Sequence, residues 1–395
     1  MPRTDLTGAT NEVLQETIGA YTDEAYTNAK KLSGTAIVGP NPDIDKNTET
    51  FIGQVRWYKP MSATINVASL TDATNGTKTN YASDYLNYVK TVRTAGAEKV
   101  NMAQVVTQTD GLAKFGRDFG ETRAQDEHDA ILAVLRGVAI AEALNGAGVA
   151  AGSAGLGGQT FENDPTEKRY GFYVDLGAAL PVIAASSTSQ GASRAEGFLQ
   201  AFGMAYKDYE PPYAYLITSP AIVASLRSAN LVDQTKVTDG NIEFDTIFSG
   251  KFRLIQTRAS QSLSSAELAK INTMGGVDIT GTKTSFIVLP GAIAFEELDV
   301  PMPSEVVRDG NSYKGGGSTS IWSRWGYVLA PAGYNWDGSQ EVFPSNADYM
   351  NVWDSTATAA YKTLASCTNA TVAKGTWVRK TASALSLGIL PIFHA

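Results

Sequence analysis

The chain has little of what most catalytic and metal sites are built from. It holds one cysteine, Cys367, and two histidines, His128 and His394. A single cysteine excludes an intrachain disulfide and a thiolate zinc cage. Two histidines exclude a three-histidine metal site, and a Ser-His-Asp triad would have to use one of this pair. Charge is sparse too: Asp, Glu, Lys and Arg make up 18% of the sequence, against a usual share of roughly 25%. With 32 basic and 40 acidic side chains the formal charge is −8, which argues against a basic surface that grips nucleic acid. No apolar run approaches the ~20 residues that a bilayer crossing needs. The longest small-apolar stretch, residues 129–158, is broken by Arg136, Glu142 and Asn145. The opening Met1-Pro2-Arg3-Thr4-Asp5-Leu6 is polar, without a secretory apolar region. The expectation is a soluble protein made in a cytoplasm, with no membrane partner and much of its surface available for contacts.

What is present is length and pattern. The 395 residues supply two or three domains' worth of core, and 37 of them are glycine. Leu14, Ile18, Tyr21, Ala25, Ala29 and Leu32 fall at helical spacing between a candidate N-cap, Thr10, and a stop at Gly34. This narrow-striped helix reads as an arm that docks on another subunit or on its own domain. Residues 51–69 read as extended, with Phe51, Ile52, Val55, Trp57, Met61, Ile65 and Val67. A turn-rich tip around Asn75-Gly76 follows, and a second extended segment returns from about 85 to 107. A two-stranded excursion of this kind is marginal in water on its own and gains stability by lying on a neighbouring molecule.

The periodicity predicts a long helix over 121–145, with acidic residues in its first turns and stripes from Ile131 to Ala141. A Gly/Ala-rich loop over 146–158 marks a boundary. Beyond it the pattern alternates: helix 193–207, strand 213–218, helix 220–229, strand 252–257. From 285 it becomes mainly β, with strands at 286–289, 293–298, 305–308 and 320–329. The Ala-, Ser- and Thr-rich tail after Val342 has no assigned structure, and no repeat emerges.

Each candidate motif has a simpler reading. Gly146-Ala-Gly148-Val-Ala-Ala151 meets the loose dinucleotide pattern but follows a helix, the wrong end of the dipole for a pyrophosphate, so it reads as a linker. Asp43, Asp45, Asn47 and Glu49 alternate like a calcium loop, yet Thr48 and Gln54 stand where that loop needs Gly and Glu. Glu127-His128-Asp129 do not converge on a helix. Ser153 lies near a nucleophile-elbow pattern without its strand–turn–helix setting. Trp322, Trp325 and Trp336, with Arg324 and Tyr327, could stack bases, but core or interface packing is the favoured use of such rings. No catalytic residue, metal ligand or cofactor follows from any of these, so the chain reads as not an enzyme.

The order of an arm helix, a long two-stranded excursion, a strut helix, an α/β unit and a β-rich return resembles the major capsid proteins of tailed bacteriophages, the Hong Kong 97-type fold. The stretch from Gly53 through Trp57 to Pro60 is similar to the outbound strand of that family's E-loop, and Asp126–Leu135, continuing to Gly146, to its spine helix. Tyr215–Leu226 resembles the strand and helix of the axial domain. Val307-Arg308-Asp309, Gly315–Gly317, Arg324 and Leu329–Gly333 resemble the peripheral-domain return. The resemblance covers roughly Phe51 to Trp336.

It implies an α+β chain divided into an N-terminal arm (1–47), an E-loop excursion (48–107), a spine helix with flanks (108–160), an axial α/β domain (161–284), a peripheral β return (285–340) and an unassigned C-terminal extension (341–395). It further implies a structural protein that self-assembles as hexamers and pentamers into an icosahedral shell. The shell encloses double-stranded DNA without sequence-specific binding, in a virion made in the host cytoplasm. Scaffold, portal and decoration proteins are the implied partners besides the chain itself. An encapsulin-type compartment holding cargo enzyme is the alternative on the same fold. The candidate inter-subunit contacts are Leu14, Ile18, Tyr21, Trp57, Asn75 and Lys78.

Overall fold

Helical spacing at the N-terminus becomes α1, Asn11–Ala29, whose buried residues Ile18, Thr22 and Tyr26 lie four apart and so share one face. A two-residue strand β1, Val38–Gly39, precedes the hairpin strands β2, Ile52–Tyr58, and β3, Ser83–Val100. Next comes α2, Gly111–Leu144, whose 34 residues at ~1.5 Å each span about 51 Å. The α/β part holds β4 (Val174–Asp175), α3 (Glu196–Tyr206), β5 (Ala214–Thr218), α4 (Pro220–Ser228), β6 (Thr246–Ile247), β7 (Phe252–Gln256), α5 (Ser265–Gly275) and β8 (Lys283–Val288). The chain then runs through β9 (Ile293–Glu297), β10 (Ser304–Asp309), β11 (Ser318–Pro331), β12 (Tyr334–Trp336), β13 (Val352–Asp354), β14 (Ala360–Lys362), β15 (Trp377–Arg379) and β16 (Ile389–His394). The computed structural model describes residues 11–30, 32–58, 83–100, 111–145, 160–161, 164–168, 171–176, 196–206, 211–228, 230–233, 236–239, 242–257, 263–338, 342–354, 360–367, 374–380 and 387–394.

Two six-stranded sheets organise the chain. The first runs β1–β9–β11–β3–β2, with β10 beside β9's neighbour β11. The second runs β6–β7–β5–β8–β16–β4, with β5 parallel to β7 and antiparallel to β8. β5 and β16 are buried at every position, as strands covered on both faces must be. The second half of α2, Ala130–Leu144, is buried on all sides except at Arg136. It packs against β11, β15, β16, α5 and the turn around Tyr349. The chain has the α+β fold, and the order of arm helix, hairpin, long helix, α/β unit and β return, that the resemblance implied.

Several expectations are corrected. The long helix starts at Gly111, ten residues before Glu121, so the acidic residues assigned to its first turn lie mid-helix. Gly116 and Gly120 interrupt the sequence pattern there but serve close helix packing. The strand over 286–289, grouped with the β return, is β8 and belongs to the second sheet. Helix α5 had no sequence assignment; Ser264 and Glu267 form a capping box at its start, each side chain bonded to the other's backbone. The tail after Val342 is part of the core. Trp377 packs edge-on to Trp336 at 5.0 Å and stacks near Tyr349, and Arg379 pairs with buried Glu142 at 3.0 Å. The Gly146–Ala151 pattern, Ser153, and the hairpin positions beyond Tyr58 and before Ser83 lie outside the described residues.

Because β16 is hydrogen-bonded between β8 and β4, deleting residues 387–395 is expected to abolish the cooperative thermal transition rather than lower it slightly. Circular dichroism melting checks this, and a truncated chain melting like the full chain would refute it.

Candidate functional site

Among the described residues a cleft between α1 and α2 is lined by Glu24, Lys30, Arg117, Asp118, Glu121 and Asp129, with no histidine or cysteine and no cluster that could hold a metal ion; the hairpin, the arm and the outer face of the first sheet carry the other candidate surfaces. The hairpin is pinned at its base. Lys90, fully buried, sends its ammonium to Asp45 Oδ2 at 2.9 Å, to Thr50 Oγ1 at 3.2 Å and to the Asn47 carbonyl. Asn41, Asp45 and Asn47 each accept a hydrogen bond from the backbone N–H two residues on. The alternating loop that resembles a calcium site is thus a run of Asx turns closed around the chain's own cation. The hydrogen bond from Lys90 holds the Asp45 carboxyl below its usual range. Beyond this clamp β3 changes partners: residues 90–100 pair with β11, whereas 83–89 pair with β2 alone. Gln54, Arg56 and Tyr85 are exposed on that outer ladder, Tyr85 at 57%.

The arm sits on α2. A Cβ placed on Gly116 would lie 2.5 Å from Tyr21 Cβ, and one on Gly120 would lie 2.4 Å from the Thr22 carbonyl. Only glycine at these two positions, one helical turn apart, lets the helices approach so closely. Ile18 fills a small cluster with Phe119, Val306 and Ile321, separate from the main core. Further along, the Tyr26 hydroxyl donates to Glu127, 2.8 Å from both carboxylate oxygens, and lies 3.1 Å from Glu297. Arg123 stacks on the Tyr26 ring at 3.8 Å and bridges Glu127 at 3.2 Å and Glu297 at 2.9 Å. Burial pushes the Glu127 carboxyl above the usual range, against the pull of Arg123 and Tyr26, and raises the Tyr26 hydroxyl as well. Although burial opposes it, Arg123 holds Glu297 below the usual range, helped by Lys30 and Tyr26.

The first sheet has one face under the helices; the other is covered at Val328 by a cluster with Ile44, Tyr88 and Leu298 and is open only around Trp322. Val306 and Ile321, directly opposite each other on β10 and β11, point to α1 and α2. Their neighbours Glu305 and Trp322 point the other way. Trp322 is 41% exposed and lies across Gly96 of β3, where a Cβ would come within 2.6 Å of the ring. Glu305 and Arg324 form an ion pair at 2.5 Å beside it. Of the tryptophan group, Trp325 and Trp336 are buried together with Tyr327, as packing predicts; only Trp322 is presented outward.

The sequence-derived contact residues divide. Ile18 is 1% exposed inside its own chain, where Phe119, Val306 and Ile321 cover its apolar surface. Tyr21 is half-buried at the same seat. Leu14 and Trp57 fall on α1 and β2, with side chains outside the described set, and Asn75 and Lys78 lie outside the described residues. Sequence reading missed Trp322 as the outward ring, and missed a pairing of His394 with Ser285. His394 Nε2 is 2.8 Å from Ser285 Oγ, which is 2.7 Å from Thr218 Oγ1. Ser285 is fully buried in the second sheet and His394 is 1% exposed, so this chain of polar groups ties three strands together and offers no route to a substrate. Glu127 and Asp129 diverge as expected, the first buried against Tyr26 and the second exposed beside Gln125.

Glu127→Gln keeps an oxygen for Tyr26 and has no charge to desolvate, so it is expected to change stability by less than ~1 kcal/mol, whereas Glu127→Ala, which leaves the Tyr26 hydroxyl and Arg123 short of a partner, costs about 1–3 kcal/mol. Because the native Glu127 carboxyl binds its proton more readily than the unfolded one, the wild type should gain stability relative to Glu127→Gln as the pH falls from neutral toward the ordinary carboxylate range. Denaturant titrations of both chains across that window check the sign; an advantage that shrinks on acidification contradicts it.

No family model matches the chain, and no curated protein matches it. Solved structures do. The chain is similar to the capsid of Ralstonia phage GP4, at 11% identity and a TM-score of 0.44, over 75% of this chain and 83% of that one. It is similar to the capsid asymmetric unit of cyanophage Pam1, at 11% identity and a TM-score of 0.43, over 78% and 87%. It is also similar to the acidic stable capsid of Helicobacter pylori bacteriophage KHP30, at 8% identity and a TM-score of 0.43, over 93% and 92% of the two chains.

Proposed function

We propose that this chain is a structural shell protein, a major capsid protein whose copies form hexamers and pentamers and close an icosahedral shell around double-stranded DNA. The observation that carries this reading is the hairpin. Its outer rungs, from Val55–Leu86 to Tyr58–Ser83, pair with no third strand, although the Asn87 N–H next to them is tied to Asn335 at 2.7 Å, and 24 further residues join the strand ends. A two-stranded ladder is marginal in water, so it is built to lie on something else, and a repeated copy of the same chain supplies that surface at every position of a closed shell. The exposed Trp322 ring, set on Gly96 and rimmed by the Glu305–Arg324 pair, has the make-up of an interface anchor. An overall charge of −8 suits a container that encloses DNA without gripping it. Scaffold, portal and decoration proteins are partners of such a shell, and the virion is its location. The chain acts by shape and contact, not by catalysis.

Negative-stain microscopy of the purified chain, with and without scaffold, tests this. Closed shells are expected from the wild type; monomers or small oligomers under every assembly condition overturn the reading. Deleting residues 68–82 is expected to leave a soluble, folded subunit that forms no shells, and unchanged assembly would refute the role given to the hairpin. Trp322→Ser is expected to lower shell yield while costing the isolated subunit less than ~1 kcal/mol. Particles filled with DNA support a virion shell, and particles filled with protein cargo instead point to a compartment of the encapsulin type.

A further inference from the structure

We propose that Asp309 is a site of spontaneous isomerisation: in the folded chain its link to Gly310 converts slowly from the main-chain carbonyl to the side-chain carbonyl. The chain has four Asp–Gly pairs, Asp110-Gly111, Asp239-Gly240, Asp309-Gly310 and Asp337-Gly338. In the reaction the Gly310 amide nitrogen attacks the Asp309 γ-carbon and loses its proton. A carboxyl oxygen leaves as water, which closes a five-membered succinimide. Water then adds back to either carbonyl of that ring. Opening at the γ-carbon restores aspartate; opening at the main-chain carbonyl leaves isoaspartate. One water leaves and one returns, so no oxidant, reductant or second protein is needed.

Three requirements select Asp309. The nucleophile must be free and uncrowded. Among the described residues the Gly310 N–H has no hydrogen-bond partner, and a Cβ placed on Gly310 would meet nothing within 4 Å. The carboxyl must lie against the next peptide and keep an oxygen to lose. Asp309 Oδ1 accepts the Asn311 N–H at 2.9 Å, an Asx turn that folds the side chain over the Gly310 peptide. Oδ2 has no partner among the described residues. The backbone must also be able to turn until the ring closes. Residues 307–311 are exposed and lead into a hairpin tip where Tyr313 and Lys314, at φ of 54° and 56°, are followed by three glycines. Asp337-Gly338 is the opposite case. Asp337 Oδ2 accepts the Tyr361 hydroxyl at 2.5 Å and the Lys374 ammonium, and a Cβ on buried Gly338 would strike the Trp336 ring at 2.3 Å. The other two pairs each include a residue outside the described set. Isoaspartate adds a methylene to the main chain at the end of β10, so the product reshapes the tip that presents Tyr313 and Lys314. This inference rests on the hairpin alone and stands apart from the shell reading.

Ageing the purified full chain for weeks in warm, mildly acidic buffer tests this. Electron-transfer fragmentation of its peptides, with a protease that cleaves before aspartate but not isoaspartate, locates and counts the product. Isoaspartate is expected to accumulate at Asp309 at least about fivefold faster than at Asp337, because the folded structure holds the second site closed. In chain aged in denaturant the two rates are expected to converge, since that shielding is gone. Asp309→Glu, which would need a six-membered ring, is expected to abolish the reaction. Gly310→Ala has room for its methyl and shields the nitrogen, so it is expected to slow the reaction at least about threefold. The wild-type comparison decides the matter even if a variant fails to fold. A smaller ratio in the folded chain, or no product at Asp309, overturns the inference. So does a ratio that persists in denaturant, which would place the difference in the neighbouring residues and not in the fold.

Discussion

The second half of α2 must be buried on every side, and most of the chain is arranged to meet that requirement. Ile131, Val134, Leu135, Val138, Ile140 and Leu144 are each worth roughly 1.5–3 kcal/mol when removed from water, and they point in all directions around the helix. A single sheet covers one side of a helix. Here the first sheet, the second sheet and the aromatic group of Trp336, Tyr349 and Trp377 close around it. One buried charge, Glu142, sits within this wrapping, and Arg379 and the Phe172 backbone N–H approach its carboxylate at 3.0 and 2.7 Å. Tyr349, Trp377, Arg379 and β16 are therefore brought back across the molecule to complete a core begun more than two hundred residues earlier.

The first half of α2 does something different. There the buried surface is one-sided, and two glycines a turn apart replace side-chain packing with close backbone approach. The arm rests in that seat through a small cluster and a polar network, and not through the main core. One helix thus joins a fully enclosed part of the molecule to a thinly covered one.

Much of this was legible in the residues, and the exceptions have physical reasons. The types of α1, β2, β3, α2, α3, β5, α4, β7 and β8 to β11 follow from helical spacing, apolar runs and turn residues, because those signals arise from local geometry. The start of α2 was misplaced because Gly116 and Gly120 are poor helix formers on their own; their value appears only when α1 lies against them. The capping box of α5 was readable at Ser264 and Glu267, a serine followed three residues later by a glutamate. The Asp43–Glu49 loop looked like a cation site because it is one, and the cation is Lys90, about forty residues away. Among three tryptophans of similar sequence context, only tertiary placement separated Trp322, on the open face, from Trp325 and Trp336 inside.

By itself, the sequence determined the α+β class, the order of the elements and the scarcity of groups that could carry chemistry. Composition and local periodicity depend on neighbouring residues, and so survive without knowledge of the whole. The tertiary structure decided where the tail belongs, which ring of the first sheet stays exposed and whose surface covers Ile18. Each of these turns on a long-range pairing, such as β16 between β8 and β4 or α1 against Gly120, made by chain segments tens to hundreds of residues apart. No local pattern records such a pairing, because the burial that stabilises it exists only once both partners are in place.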